Sequence, residues 1–391
     1  MRRRFGPRLP AVALDHLSER KLRLMGTDER EVLAGIKSGS THQPRVLSIV
    51  GARPQFVKVA AFTRALAQIS SIHSILVHTG QHFDPGMSAV FFDELGIPEP
   101  HVNLGLGGGS HGEATGRMLM AIESVILTEK PDLVVVFGDT NSTLAGALAA
   151  AKLHVPVAHL EAGLRSFNRL MPEEINRVLT DHISTLLLAP TTTAVSNLHA
   201  EGIHRGVHEI GDLMFDSARF AATVCERSTI LTQLGLTERS YSVATLHRAE
   251  NTADRSILLE LIGFLRNQSD EQPLVFPMHP RTRKVVNQWG ISLDGLIVCE
   301  PLGYLDMHRL MQSATTIFTD SGGVQNEAYF HRVPCVTLRD ETEWIETIEA
   351  GWNRLWRVAH YLPRRDIAGY GDGCAAERAV DKIEEFFRSS K

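Results

Sequence analysis

Three carboxylates and an imidazole stand where apolar segments end. Asp139 follows LVVVFG, Glu161 follows VPVAHL directly, Glu173 lies in MPEEINR, and His247 lies in TLHRAEN. Such groups move protons near neutral pH, and clustered carboxylates can also stabilise positive charge developing on a substrate. Each has a plainer reading. Asp139, Thr140, Asn141 and Ser142 all have helix-capping chemistry. Pro172-Glu173-Glu174 reads as a helix start with acidic residues in its first turn, one of them structural or a partner for Arg177. A lone histidine is more often structural than catalytic. Glu161 is harder to dismiss, because charge at the end of a buried strand is costly unless solvated or paired.

A second set of residues suits an anion. GARPQFVK, residues 51–58, opens a helix with Pro54 in its first turn, where a missing N–H costs nothing. Free amides there, with Arg53 and Lys58 beside them, would attract a phosphate. A plain helix start with two solvated cations explains the motif equally well, and it is not the GxGxxG dinucleotide fingerprint. TDSGGVQNEA, residues 319–328, is the more specific signal. Ser321, Gly322 and Gly323 allow backbone amides to approach a diphosphate, and Glu327, one turn later, can accept from a ribose hydroxyl pair. His279, in PMHPRTR, again falls at a strand end. No histidine pair has HxxxH or HxH spacing, so no metal site is expected.

These residues need a scaffold that brings strand ends together. From Arg45 onward, short apolar strands alternate with helical patterns: RVLSIV, SILVHTG, LVVVFGDT and VPVAHLEAG, then YSVATLHRAEN, PLVFPMHPRT, LIVCEPLGY, TTIFTDSGG and PCVTLRDETEW. That rhythm implies βαβ units and parallel sheets covered on both faces, and ligands of such sheets bind beyond the carboxyl ends of the strands. The expected fold is therefore α/β, with two Rossmann-like domains. The divisions are 1–44 as an N-terminal extension, 45–209 and 210–370 as the two domains, and 371–391 as an amphipathic helix able to cap either. A length of 391 residues fits two domains better than one.

Composition excludes other classes. A formal net charge of -5 argues against nucleic acid or an anionic membrane surface as partner. No apolar run approaches the roughly 20 residues of a membrane span, and the basic N-terminus lacks a secretory apolar region. Cys225, Cys299, Cys335 and Cys374 form no CxxC, which suits a reducing cytosol.

GARPQFVK, HTGQH, GDTNSTLAGALAA, HLEAGLRSF, MPEEINR, LHRAEN, HPRTR, PLGY, TDSGGVQNEA and RDETEWIE resemble, in order and spacing, the non-hydrolysing UDP-N-acetylglucosamine 2-epimerases. The resemblance runs from about residue 45 to the C-terminus. It implies two Rossmann-like domains of the GT-B type facing across a UDP-binding cleft, a homodimer, no cofactor, and a cytoplasmic enzyme supplying cell-surface polysaccharide precursors. It assigns Asp139, Glu161, Glu173 and His247 to catalysis. Arg53, Lys58, Gln81, His82, Arg177, His279, Ser321, Gly322, Gly323 and Glu327 fall to substrate binding, with the carboxylates and the phosphate-binding cations kept apart. Glu174 has no catalytic match.

The chain departs from the family pattern at Thr342-Glu343-Trp344, where many members have an arginine, and at Phe83. A missing glutamine in GGGSHGEATGRM speaks against the second, regulatory UDP-sugar site. GDTNSTLAGALAAAKLHVP and TEWIE are similar to the branch that epimerises UDP-2,3-diacetamido-2,3-dideoxy-glucuronate. Its carboxylated sugar would want a further cation, and Arg165, Arg169 or Arg281 could serve. A GT-B glycosyltransferase, a hydrolysing relative and a non-catalytic UDP-sugar sensor are the competing readings.

Overall fold

The computed structural model describes residues 43–69, 71–81 and 92–389. Most of the N-terminal extension, His82 and Phe83 therefore lie outside the described residues. The first sheet comprises β1 (Arg45–Val50), β2 (His73–His78), β3 (Val102–Asn103), β4 (Leu133–Phe137), β5 (Val157–Leu160), β6 (Leu186–Ala189) and β7 (Val207–Glu209). Their spatial order is β3-β2-β1-β4-β5-β6-β7. The second comprises β8 (Ser242–Thr245), β9 (Leu274–Pro277), β10 (Ile297–Cys299), β11 (Ile317–Thr319), β12 (Cys335–Thr337) and β13 (Asn353–Leu355), in the order β10-β9-β8-β11-β12-β13. Every pairing is parallel. The two halves are Rossmann-like and face each other in the GT-B manner.

The principal helices are α1 (Arg53–Leu66), α2 (His111–Glu129), α3 (Asn141–Lys152), α4 (Pro172–Ile183), α5 (Leu213–Val224), α6 (Pro280–Trp289), α7 (Tyr304–Gln312), α8 (Gly322–Phe330) and α9 (Ala375–Ser389). The strands read as unbroken apolar runs because both faces are covered. On β1 and β4, Val46, Val50, Leu133, Val135 and Phe137 enter one core, whereas Leu47, Ile49, Val134 and Val136 enter the core on the opposite face. Each such burial is worth roughly 1.5–3 kcal/mol.

Strand order reverses between β1 and β4 in one sheet and between β8 and β11 in the other. Neighbouring βα loops diverge at such points and leave a crevice, which fixes where chemistry can occur. Helix α5 joins the halves: it packs on α1 and also on α7 and α8, and Ser217 Oγ donates to the Val57 carbonyl at 2.7 Å. The chain then returns to the first half. Ala375, Ala376, Ala379, Val380 and Ile383 of α9 join the core beneath β1, and Asp216 accepts from the amides of Ala375 and Ala376 at 3.1 and 2.7 Å.

Candidate active site

At the end of β4 the chain turns through Gly138, whose φ is 63°. A Cβ there would lie 3.0 Å from Glu161 Oε2 and 3.3 Å from Lys58 Nζ, so glycine lets the ends of β4 and β5 approach. Asp139 follows, and Arg177 of α4 pairs with its carboxylate. The other arm of Arg177 donates to Glu174 Oε2 at 2.7 Å, and Asn176 Nδ2 donates to the Asp139 carbonyl at 2.9 Å. Thr140, rather than Asp139, caps α3 by accepting from the Thr143 amide at 3.3 Å. The Asp139 carboxylate is thus not spent on a cap. Glu173 is exposed on the first turn of α4, three residues before Asn176 and on the same face. Glu174 is buried and accepts from the amides of Ser166 and Phe167 at 2.9 and 3.0 Å, as a structural helix-start residue should.

Glu161 sits at φ 76°, a left-handed conformation that costs a non-glycine residue free energy and concentrates at functional sites. Its carboxylate pairs with Lys58, which is buried. Burial works against the Lys58 charge, yet Glu161, Asp139 and Asp212 hold its pKa above the ordinary lysine value. Behind the pair, His159 of β5 is fully buried, with Nδ1 2.7 Å from Asp181 Oδ1 and Nε2 2.7 Å from the Gly138 carbonyl. Arg165 Nη1 donates to Asp181 Oδ2 at 2.7 Å. Burial alone would raise the Asp181 pKa, but His159 and Arg165 hold it below the usual carboxylate value. This buried network clamps the turn that carries Asp139.

In the other half, His247 follows β8 and faces the end of β11. Asp320, fully buried, accepts through Oδ2 from the amides of His247 and Arg248 at 2.9 and 2.8 Å and from Asn251 Nδ2 at 3.1 Å. Its Oδ1 lies 3.3 Å from His247 Nδ1, a polar contact without hydrogen-bond geometry. The imidazole stacks on His279, with centroids 5.3 Å apart. His279 Nδ1 in turn caps α6 by accepting from the Arg281 amide at 3.1 Å.

A cavity of about 520 Å³ separates Pro54 and Val57 of α1 from His247, His279, Ser321 and Glu327. Asp139, Glu161 and Glu173 do not line it; the link is α1, where Val57 faces the cavity and the next residue, Lys58, holds Glu161. Gly323 is exposed at the cavity wall, where an added Cβ would meet Ser321 Oγ at 4.0 Å. Gly322 has another reason to be glycine: a Cβ there would meet Glu343 Oε1 at 2.4 Å. Glu343 is itself held by Arg339 at 2.8 Å and Arg248 at 3.6 Å.

The structure revises several assignments. The amides at the start of GARPQFVK are not free, because Gln55 Oε1 accepts from Gly51 and Ala52 at 2.8 and 3.0 Å. Lys58 stands with the carboxylates, so acids and cations are not segregated as expected. Gln81 Oε1 accepts from the amide and hydroxyl of Ser142 at 2.9 and 2.7 Å, and Arg177 is engaged by Asp139 and Glu174. Arg165 is committed to Asp181 and Glu201 and does not serve as a spare cation for a sugar carboxylate. Backbone alone describes Arg53, the first residue of α1. Sequence reasoning missed Asn176, His159, Asp181, Asp212 and Asp320. Only His159, a polar residue inside an apolar strand, carried a visible signal. Among the described residues no cluster of three or more His, Cys, Asp or Glu side chains could hold a metal ion.

Residues 64–384 match the UDP-N-acetylglucosamine 2-epimerase family model. A Pseudomonas aeruginosa protein named UDP-2,3-diacetamido-2,3-dideoxy-D-glucuronate 2-epimerase is 52% identical over 80% of this chain and 88% of its own. A Methanococcus maripaludis UDP-N-acetylglucosamine 2-epimerase is 45% identical over 78% of this chain and 86% of its own. The crystal structure of Methanocaldococcus jannaschii UDP-GlcNAc 2-epimerase, in complex with UDP-GlcNAc and UDP, is 40% identical. It superposes with a TM-score of 0.79, covering 87% of this chain and 99% of that one.

Proposed function

The chain belongs to the UDP-N-acetylglucosamine 2-epimerase family, and we propose that it interconverts UDP-GlcNAc and UDP-ManNAc by inverting C2. The observation that carries this reading is the meeting of Asp139, Glu161 and Lys58 at adjoining strand ends, one residue along α1 from a nucleotide-sized cavity. No carbonyl acidifies the hydrogen on C2, so direct deprotonation is prohibitively slow. Expelling UDP first builds positive charge on the ring, which the carboxylates stabilise. One carboxylate removes the C2 proton to give a 2-acetamidoglucal. A proton then returns from the opposite face and UDP re-adds at C1. Two faces require two proton-transfer groups, each contributing roughly 10²- to 10⁴-fold, and Asp139, Glu161 and Glu173 supply them. His247, Ser321 and the Gly323 amide hold the diphosphate, His279 lines the nucleotide cavity, and Glu327 receives the ribose.

The 52% identity to the Pseudomonas aeruginosa diacetamido-glucuronate enzyme favours a second reading, with that uronate as substrate. Arg281, at the cavity wall, is placed to meet its carboxylate. Proton NMR in D₂O with each UDP-sugar alone tests both. The expected result is a C2 epimer and deuterium at C2 of substrate and product, without an acceptor. Free sugar and UDP as end products would instead identify a hydrolase, and no reaction without acceptor would point to a glycosyltransferase.

The protein works as a homodimer in this reading. Met120 and Leu127 of α2 and Ile175 and Leu179 of α4 are exposed, and both helices flank α3. Light scattering should give twice the chain mass of 43.2 kDa. No described helix is long and apolar enough to cross a membrane, and a cytoplasmic place in supplying polysaccharide precursors fits the reaction.

A further inference from the structure

Asp212, which begins α5, is a buried carboxyl that the mechanism above leaves unused. Its Oδ1 accepts from the Met214 amide at 2.8 Å, so half of the group is an ordinary helix cap. The other half is not: Oδ2 is buried and has no hydrogen-bond partner among the described residues. Unsatisfied buried oxygens are rare enough in native proteins that each demands an explanation. Here the residue borders a cavity of about 10 Å³ together with Lys58, Glu161, Pro190 and Ile210. That is room for about one water molecule, between a carboxylate assigned to proton transfer and a carboxyl assigned to nothing.

We propose that Asp212 is the proton reservoir of Glu161, a positioning and relay residue that accepts the C2 proton from Glu161 and returns it, directly or across one water. The inference rests on the epimerase reading above. In the elimination half, the C2–H bond breaks and its electron pair forms the C1–C2 double bond as the C1–O bond to UDP breaks. The proton arrives on Glu161, then passes to Asp212 Oδ2, restoring the Glu161 carboxylate. Re-addition then takes its proton from the second carboxylate, on the opposite face of C2. In the reverse reaction, which starts from the epimer, that second carboxylate removes the C2 proton, the O–H bond of Asp212 breaks, Glu161 is protonated, and Glu161 delivers the proton to its own face of C2 as UDP re-adds. Each direction moves one proton off one face and one onto the other, and exchange with solvent resets the two acids, so no other reagent is consumed.

The charges facing Asp212 suit a group that must be able to hold a proton. Glu161 lies on one side, Lys58 of α1 on another, Asp216 one turn along α5, and the buried Tyr370 against its backbone, whose carbonyl accepts from the Asp212 amide at 3.3 Å. Burial first, and the Glu161 charge second, push the Asp212 pKa up to about 7, against the opposing pull of the Met214 amide and Lys58. A carboxyl poised there exchanges a proton readily in either direction at neutral pH.

The test compares the full-length wild type with Asp212→Asn and Asp212→Ser. Both variants keep an oxygen able to cap α5 but remove the acid, and calorimetry with UDP establishes that each is folded. The expected result is kcat for epimerisation, and deuterium entry at C2, reduced roughly 10²-fold in both. UDP affinity should stay within a few-fold of wild type, and the limb of kcat near pH 7 should disappear. A mere capping role would leave the pH profile unmoved. If wild type exchanges deuterium and both variants match its rate and profile, the relay falls while the epimerase reading stands. If wild type itself exchanges nothing at C2 of either sugar, the reading falls and takes the relay with it.

Discussion

Lys58, which is buried, and Glu161, which is half-buried, form an ion pair that ties the second turn of α1 to the end of β5. A cation in that position gives the carboxylate a charged partner close to the protein interior and fixes where the carboxylate points. Lys58→Met should strand Glu161 without its partner and destabilise the fold by about 3–5 kcal/mol. Because the ammonium faces Glu161 rather than the larger cavity, UDP affinity should change less than about threefold while kcat falls. Urea unfolding and UDP titration check the two halves of this expectation. A tenfold loss of UDP affinity in a folded variant would instead place Lys58 on the diphosphate.

The Asp320–His247 contact predicts a different pattern. Asp320 fastens the loop after β8 through three hydrogen bonds and lies beside the imidazole Nδ1. Asp320→Asn retains an oxygen for those donors but weakens the claim on the ring. We expect kcat to fall roughly tenfold or more with KM little changed. Nitrogen-15 NMR of labelled histidine should report a change in the tautomer balance of His247. An unchanged tautomer together with unchanged kcat would reduce Asp320 to a loop fastener.

Much of this arrangement is written locally in the chain. Unbroken apolar runs such as LVVVF can only be strands covered on both faces, and the polar residue after each run must then lie at a strand end. That logic puts Asp139, Glu161, His247 and Ser321 at strand ends from the sequence alone. Orientation is not written locally. Whether Lys58 reaches a phosphate or a carboxylate depends on how α1 is rotated over the sheet, and Val57 and Lys58, adjacent in sequence, face opposite duties. The same holds for Arg177 and Gln81, which meet Asp139, Glu174 and Ser142 here, since the residue type reveals charge and reach but not the partner. Asp212 and Asp320 carry no signal of their own in the sequence, because only the meeting of distant strand ends gives them neighbours. The boundary drawn at residue 210 also meets a limit there, because α5 packs on both halves and no stretch of linker composition marks the change.

The carboxylates themselves give the sharpest chemical expectation. Asp139→Asn, Glu161→Gln and Glu173→Gln each keep size and hydrogen-bonding shape while removing the charge. Each should slow deuterium entry at C2 by roughly 10²- to 10⁴-fold and leave UDP binding within a few-fold. Glu174→Gln should behave otherwise. Its carboxylate is buried against Ser166, Phe167 and Arg177, so stability should drop by about 1–3 kcal/mol with exchange chemistry largely retained in the folded fraction. Full activity in both the Asp139 and Glu161 amides would remove the assignment.

Asp212 should leave a signature in stability as well as in rate. Its folded pKa of about 7 stands above the ordinary carboxylate value of 3.8, so between those limits the native protein binds a proton that the unfolded chain has released. Under that imbalance stability declines as pH rises through the window and levels off above about 7. This is the opposite of a salt-bridged carboxylate, whose contribution grows over the acidic range. Asp212→Asn carries no such proton. The variant should therefore gain on wild type as pH is raised from 4 to 7, by an amount on the order of a few kcal/mol. Other titrating groups are common to both proteins, so the difference between their urea midpoints isolates this one. A flat difference curve from pH 4 to 8 would mean that the carboxyl is ionised in the fold like any exposed aspartate. A rising one would mean that the native state sacrifices stability at neutral pH to keep an uncomfortable acid beside Glu161, as a group retained for its chemistry would require.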